Sequence, residues 1–149
     1  MESRITLFVD QLKVKHTKLW YKGADICVGN FPWYVHVEIL SDLSRDSIVQ
    51  TCNDFEALLR YIGDSVQHHH CDNVTFSDNS FNDHCKPNKM HLTYCAAYGH
   101  HKNGICEIYI GILTKDDRKN LWHDMFCWIK VLLLNLWTYN MIQSNIVRK

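Results

Sequence analysis

The chain has 149 residues, of which 46% are hydrophobic and 21% are charged, and its formal net charge is zero. This composition is typical of one globular domain and excludes a disordered chain. A zero net charge also disfavours a protein that coats nucleic acid through charge alone. The apolar run at residues 125–137 is too short and too polar to span a bilayer, so we expect no membrane association.

The N-terminus and the cysteine content indicate the compartment. Residues 1–4 carry an acid and lead into no apolar signal core. The chain has seven cysteines, an odd number that favours free thiols over a disulfide framework. We therefore expect an intracellular protein, either cytoplasmic or nuclear.

The first forty residues predict an antiparallel meander. Apolar and polar residues alternate over 5–9, and residues 17–21 and 26–28 are shorter strand candidates separated by turn signals. Residues 31–40 form the strongest strand pattern, with Trp33, Val35, Val37 and Ile39 on one face.

The next segment predicts an amphipathic helix. Ser44 is a suitable N-cap residue, and Gly63 stands where a C-terminal glycine cap belongs. The apolar residues between them recur at spacings of three and four, which forms one stripe: Ile48, Cys52, Phe55, Leu59 and Ile62.

The second half predicts a long loop, a hairpin and a helix. Residues 64–88 are polar and read as a loop, with one short strand at 74–76. Residues 89–98 and 105–113 read as the two strands of a hairpin, and a helix follows from about 114 to 141. The predicted fold is a single α+β domain over 1–149, with a mainly antiparallel sheet packed against two helices and a His/Cys-rich loop and hairpin at 64–106.

The His/Cys-rich segment is the first candidate site. Seven of the ten histidines and four of the seven cysteines lie between His68 and Cys106. Structural zinc requires four thiolate or imidazole ligands in a tetrahedron. The hypothesis is a zinc site with its ligands drawn from Cys71, Cys85, His91, Cys95 and Cys106. The alternative is a polar loop whose cysteines fill the core, because no Cys-x-x-Cys knuckle is present.

Two strand histidines are the second candidate. His36 and His91 each lie within a predicted strand, and two histidines that face one groove can act as acid and base on a phosphodiester. His91-Leu92-Thr93 resembles the His-x-Ser/Thr motif of the two-histidine phosphoesterases, with Thr93 as the hydroxyl. At His36-Val37-Glu38 a glutamate stands in the hydroxyl position. The alternative is that both histidines belong to half-exposed strands.

Two surfaces are candidates for partners. Lysines interleave with an aromatic residue near the N-terminus and could bind single-stranded nucleic acid, although a sheet edge protected by lysines is the favoured interpretation. The residues of this strip are Lys13, Lys15, Lys18, Trp20 and Lys22.

The last helix is apolar on nearly all sides, which predicts either a homodimer interface or simple burial. The residues expected in that interface are Trp128, Leu132, Leu136 and Trp137, with Lys130 and Asn135 at its polar rim.

The absence of a complete catalytic motif decides the leading interpretation. We expect a small intracellular module that acts by binding another protein, stabilised by zinc and self-associating, of the kind found among viral accessory proteins. The alternative is a compact phosphodiesterase or nuclease that uses His36 and His91. The two hypotheses differ on one observation, which is whether those histidines share a groove.

Overall fold

The computed structural model describes residues 3–13, 22–30, 34–71, 79–95, 104–114, 135–138 and 140. Its elements, in chain order, are β1 (Ser3–Lys13), β2 (Gly23–Gly29), β3 (Val35–Leu40), α1 (Arg45–Tyr61), β4 (Asp64–Cys71), α2 (Asn79–Cys85), β5 (His91–Tyr94) and α3 (Gly104–Thr114). The predicted α+β class is confirmed.

The five strands form one mixed sheet in the order β3-β2-β1-β4-β5. The first three strands pair antiparallel, as the meander prediction required. β4 pairs parallel with β1, and β5 pairs parallel with β4. The crossover from the meander to β4 contains α1, since a parallel pair cannot be joined by a tight turn.

The two faces of the sheet have separate cores because side chains alternate along β1. Ile5, Leu7 and Val9 are almost fully buried and pack with the apolar stripe of α1. Phe8 and Leu12 point the other way and pack with residues of α3. We call these two sides the α1 face and the α3 face.

The predicted helix is confirmed together with both of its caps. The hydroxyl of Ser44 accepts a hydrogen bond from the backbone N–H of Ser47 at 3.3 Å. At the other end, Gly63 has a φ of 86°, a conformation that costs glycine little and other residues more. The stripe from Ile48 to Ile62 is buried as predicted.

Two predictions for the second half are wrong. Residues 64–88 are not one long loop, because 64–71 form strand β4, which lies inside the sheet, and 79–85 form helix α2. Residues 104–114 are helix α3 and not the second strand of a hairpin, so β5 pairs with β4 instead. The predicted strands at 17–21 and 74–76, and most of the predicted final helix, lie outside the described residues.

The exposed backbone of the edge strand β3 is covered by side chains from near the C-terminus. Asn135 accepts a hydrogen bond from the N–H of Val37 at 3.0 Å and donates one to its carbonyl at 2.9 Å. Thr138 makes the equivalent pair of hydrogen bonds with Val35. Asn135 therefore caps a sheet edge.

The predicted dimer interface is only partly within the described residues. Leu136 is 54% exposed and Trp137 is 44% exposed, while Trp128 and Leu132 lie outside the described residues. Self-association through this helix stays a prediction. No helix in the described part of the chain has the length and apolar character required to cross a membrane.

Candidate functional site

Two carboxylates from distant parts of the sequence lie on the α3 face. Asp10 stands between Phe8 and Leu12 in β1, so its side chain is on the side of the sheet where α3 packs. It accepts a hydrogen bond from the backbone N–H of Gln11 at 2.8 Å. Glu107 lies in the first turn of α3 and is exposed. We call Asp10 and Glu107 the acidic pair.

The thiol of Cys106 lies near both members of the acidic pair. Cys106 is fully buried against the sheet at the start of α3. Burial raises the pKa of this thiol far above its ordinary value, and the negative charges of Asp10 and Glu107 raise it further. Both carboxylates are therefore within electrostatic reach of one sulfur atom. Carboxylate oxygens are the ligands that Mg²⁺ prefers in proteins.

A cluster of histidines and one threonine lies on the same face. The hydroxyl of Thr93 is 2.6 Å from Nε2 of His68 and 2.8 Å from Nδ1 of His70, so it can donate to one ring and accept from the other. The His70 ring makes an edge contact with Phe8, with a centroid separation of 5.6 Å. Burial, followed by neighbouring imidazoles that include His91, lowers the pKa of His68. At neutral pH this ring is therefore uncharged and acts as a hydrogen-bonding group.

An open groove of about 430 Å³ runs beside this cluster. Arg4 supplies the cationic side chain in its lining, and five of the other six lining residues are of polar type. The residues that line it are Arg4, Ile5, Thr6, Gln67, His68, His91 and Thr93. Arg4 and Asp10 are an even number of residues apart in β1, so their side chains point to the same side of the sheet. The groove and the acidic pair therefore lie on one side of the sheet.

The structure separates the two histidines of the phosphoesterase hypothesis. His36 is on β3 and His91 is on β5, at opposite edges of the sheet. Four strand spacings lie between them, which is about 19 Å. His36 stacks on Phe55 on the α1 face, with a centroid separation of 5.1 Å, and does not enter the groove. His91 and Thr93 do line one groove, but the histidine that joins them there is His68.

The five predicted zinc ligands are distributed over both faces. Cys71 and Cys85 are buried in the α1-face core, whereas Cys106 is buried on the α3 face. His91 is exposed on β5, and Sγ of Cys95 is 3.4 Å from Nε2 of His70. Within the described ranges these five side chains do not converge on a point where one ion could bind them.

Three other side chains do converge, and they come from α1, β4 and α2. Nε2 of His69 and Nε2 of His84 lie 2.7 Å and 2.9 Å from the same oxygen, Oε1 of Glu56. Both histidines belong to the His/Cys-rich segment, but His69 is fully buried in a strand and not part of a mobile loop. In the sequence, Glu56 stands out because this charged residue lies in the apolar stripe of α1, one residue after Phe55 and four after Cys52.

The lysine-rich strip is only partly described. Lys13 ends β1 and Lys22 precedes β2. Lys15, Lys18 and Trp20 lie outside the described residues. A nucleic-acid surface on this strip stays a prediction.

Comparison with solved structures gives the class of fold. No protein-family model matches the chain, and no curated protein matches it. The chain is similar to the HTLV-2 integrase catalytic core domain solved with magnesium in a dimeric form, with 18% identity, a TM-score of 0.60, and coverage of 93% of this chain and 87% of that one. It is also similar to the catalytic core domain of BIV integrase, with 16% identity, a TM-score of 0.56, and coverage of 85% and 80%.

A third similar structure is larger. It is the cryo-EM structure of the simian T-cell lymphotropic virus intasome in complex with PP2A regulatory subunit B56 gamma, with 17% identity and a TM-score of 0.66. The match covers 87% of this chain but only 48% of that one, so the chain spans about half the length of this relative. At such identities the likeness concerns the fold alone. The chain has the α+β fold found in retroviral integrase catalytic cores.

A further buried carboxyl, Asp25, lies on the α1 face of β2. Nε2 of Gln11 donates a hydrogen bond to its Oδ1 at 3.1 Å, while Oδ2 has no partner among the described atoms. Burial raises the pKa of Asp25 from 3.8 to about 6, although hydrogen bonds from Gln11 and Thr51 oppose the shift. Ionised Asp25 is thus a source of instability at neutral pH.

We predict that Asp25→Asn stabilises the protein at pH 8 but not at pH 4. Because its pKa is raised in the folded state, protonated Asp25 stabilises the folded protein. This contribution to the free energy of unfolding is complete below pH 3.8 and is lost as the pH rises through about 6. The pKa shift corresponds to an increase on the order of 3 kcal/mol in the free energy of unfolding of Asp25→Asn at pH 8. Urea unfolding of both proteins at the two pH values measures it. An equal effect at pH 4 and pH 8 would contradict the assignment.

Proposed function

We propose that this chain is the catalytic core of a divalent-cation-dependent enzyme that cuts or joins phosphodiester bonds in nucleic acid. The observation that carries the proposal is the acidic pair, formed by Asp10 on β1 and Glu107 on α3 in a fold similar to integrase cores. One of those relatives was solved in complex with magnesium. The proposal retains the phosphodiester chemistry expected as the alternative from the sequence, but replaces its two-histidine mechanism.

The donor chemistry of the acidic pair fits magnesium. The ion takes oxygen ligands and is usually held by one or two carboxylates together with water and substrate phosphate. Asp10 is partly buried and Glu107 is exposed, so one carboxylate is anchored in the sheet and the other can adjust to a substrate. When bound, the ion supplies a nucleophile of lowered pKa and neutralises charge on the phosphate.

A third carboxylate is included in the proposal from its position in the sequence. The parallel pairing of β1 with β4 aligns Val9 with Cys71. The residues that follow these two in the sequence are Asp10 and Asp72. Asp72 lies outside the described residues, and we include it as the next carboxylate to test.

The groove gives the proposed substrate a place to bind. Arg4 provides a permanent positive charge, and His68, His91 and Thr93 provide hydrogen-bonding groups. A phosphodiester backbone needs both kinds of partner, because charge attracts it and hydrogen bonds fix its position. The groove shares the α3 face with the acidic pair, so a bound strand can reach both.

We predict that Asp10→Asn and Glu107→Gln each reduce magnesium-dependent cleavage of labelled DNA by on the order of 100-fold, because each removes charge that stabilises the transition state. Asp72→Asn is expected to behave in the same way. Asp46→Asn, an exposed carboxylate at the start of α1, is the control and should retain activity. Calorimetric titration with magnesium alone should show binding that both acidic-pair variants lose. Cleavage that persists in both variants, or magnesium binding unaffected by them, would contradict the proposal.

We also predict that Arg4→Ala weakens binding of a labelled oligonucleotide and lowers the slope of log affinity against log salt by about one. Loss of one phosphate contact produces this change, whereas general unfolding does not. Arg45→Ala, at the exposed start of α1, is the matched control. Fluorescence anisotropy at four salt concentrations measures both. An identical slope for Arg4→Ala and the unmodified protein would show that Arg4 does not contact a phosphate of the oligonucleotide.

A further inference from the structure

A second group of metal-binding side chains lies behind the sheet, on the α1 face. Glu56 projects from α1, His69 from β4 and His84 from α2, and their ligand atoms all lie within 4.8 Å of one another. The relative exposures of the three residues are 2%, 0% and 9%. This cluster is separated from the acidic pair by the sheet itself, because His69 faces α1 while Asp10 faces α3.

The cluster concentrates negative charge in an apolar setting. Burial alone would raise the pKa of Glu56, but hydrogen bonds and charge interactions with His69 and His84 lower it to about 2, so the carboxylate is ionised. Its ion-pair partners within the described part of the chain are these two imidazoles. Phe81 closes one side through edge contacts with both rings, at centroid separations of 5.4 Å and 5.9 Å.

The donor set selects among metals. Two imidazole nitrogens and one carboxylate oxygen suit zinc, whereas magnesium and calcium prefer oxygen ligands alone. Ligand atoms around tetrahedral zinc are separated by about 3.3 Å, given bond lengths of about 2.0–2.1 Å. The observed separations of 2.7 Å and 2.9 Å need to widen by only about half an ångström, which small side-chain rotations achieve.

Burial argues for a structural role. An iron centre with two histidines and one carboxylate keeps open positions for a substrate. Structural zinc is normally held by four protein side chains, so a water would complete the tetrahedron around these three ligands. His69 is fully buried and Glu56 almost so, which leaves no open face for a reactant. A metal here would instead cross-link three elements that are distant in the sequence, α1, β4 and α2.

We propose that Glu56, His69 and His84 bind one zinc ion, which ties α1 and α2 to the central strand β4. The site does not depend on the proposed function, because none of its ligands belongs to the acidic pair or the groove. It accounts for the histidines of the His/Cys-rich segment with ligands other than the five predicted from the sequence.

The test is metal content and stability of the chain refolded with and without equimolar zinc. We expect about one zinc per chain by mass spectrometry, and an increase in melting temperature on the order of 8 °C when free zinc is one hundred times its Kd. Magnesium should give no increase of this kind. Protein refolded with zinc that retains no metal and melts at the same temperature would overturn the proposal.

Variants separate this site from the rest of the molecule. Glu56→Gln and His84→Gln should each lose the zinc and the zinc-dependent increase in melting temperature. His91→Ala, which removes an exposed histidine of the same segment, should keep both, and so should Asp10→Asn. Zinc lost in His91→Ala but kept in His84→Gln would refute the assignment. Asp10→Asn distinguishes failure of this proposal from failure of the catalytic one, since it is expected to reduce DNA cleavage and to leave zinc binding unchanged.

Discussion

The parallel pairing of β1 with β4 is the interaction on which the rest of the structure depends. It joins the N-terminal meander to the second half of the chain and fixes Val9 opposite Cys71. The two strands are central in the sheet, so each contributes side chains to both faces. On the α1 face they provide Leu7 and His69, and on the α3 face they provide Asp10 and His68. Both proposed sites therefore take residues from this one pair of strands.

The two faces of the sheet carry different sets of polar and charged side chains. The α3 face carries the acidic pair and a groove with one arginine, which suit an ion and a phosphodiester at the surface. The α1 face carries Glu56, His69 and His84, which suit a buried metal with no access for a substrate. Strand alternation is the physical reason, since His68 and His69 are neighbours in the sequence but point to opposite sides of the sheet. The three consecutive histidines of β4 therefore lie in two different environments, on opposite faces of the sheet.

The N-terminal half was predictable because its local signals agree with its packing. The alternation in β1 and the stripe and caps of α1 each correspond to a buried face, so periodicity alone located them. The second half was not predictable in this way. β4 contains three consecutive histidines and reads as polar, yet it lies inside the sheet, where Glu56 accepts a hydrogen bond from Nε2 of the buried His69 ring. In α3, β-branched and aromatic residues suggested a strand, and packing on Phe8 and Leu12 overrode that propensity.

The candidate sites were predictable only in composition. The density of histidine and cysteine singled out the segment that contains His68, His69, His84 and His91, but spacing could not tell which of them share a face. The carboxylates were missed for a different reason. Asp10 and Glu107 are almost one hundred positions apart in the sequence, and nothing local relates them until α3 packs across β1.

The most direct test of the account is a crystal structure of the chain soaked with manganese, which takes the same oxygen ligands as magnesium and gives an anomalous signal. The account predicts a manganese peak within about 2.2 Å of a carboxylate oxygen of Asp10 and of Glu107. A peak bound elsewhere, or carboxylates too far apart to share one ion, would contradict the proposal that the α3 face is a catalytic site.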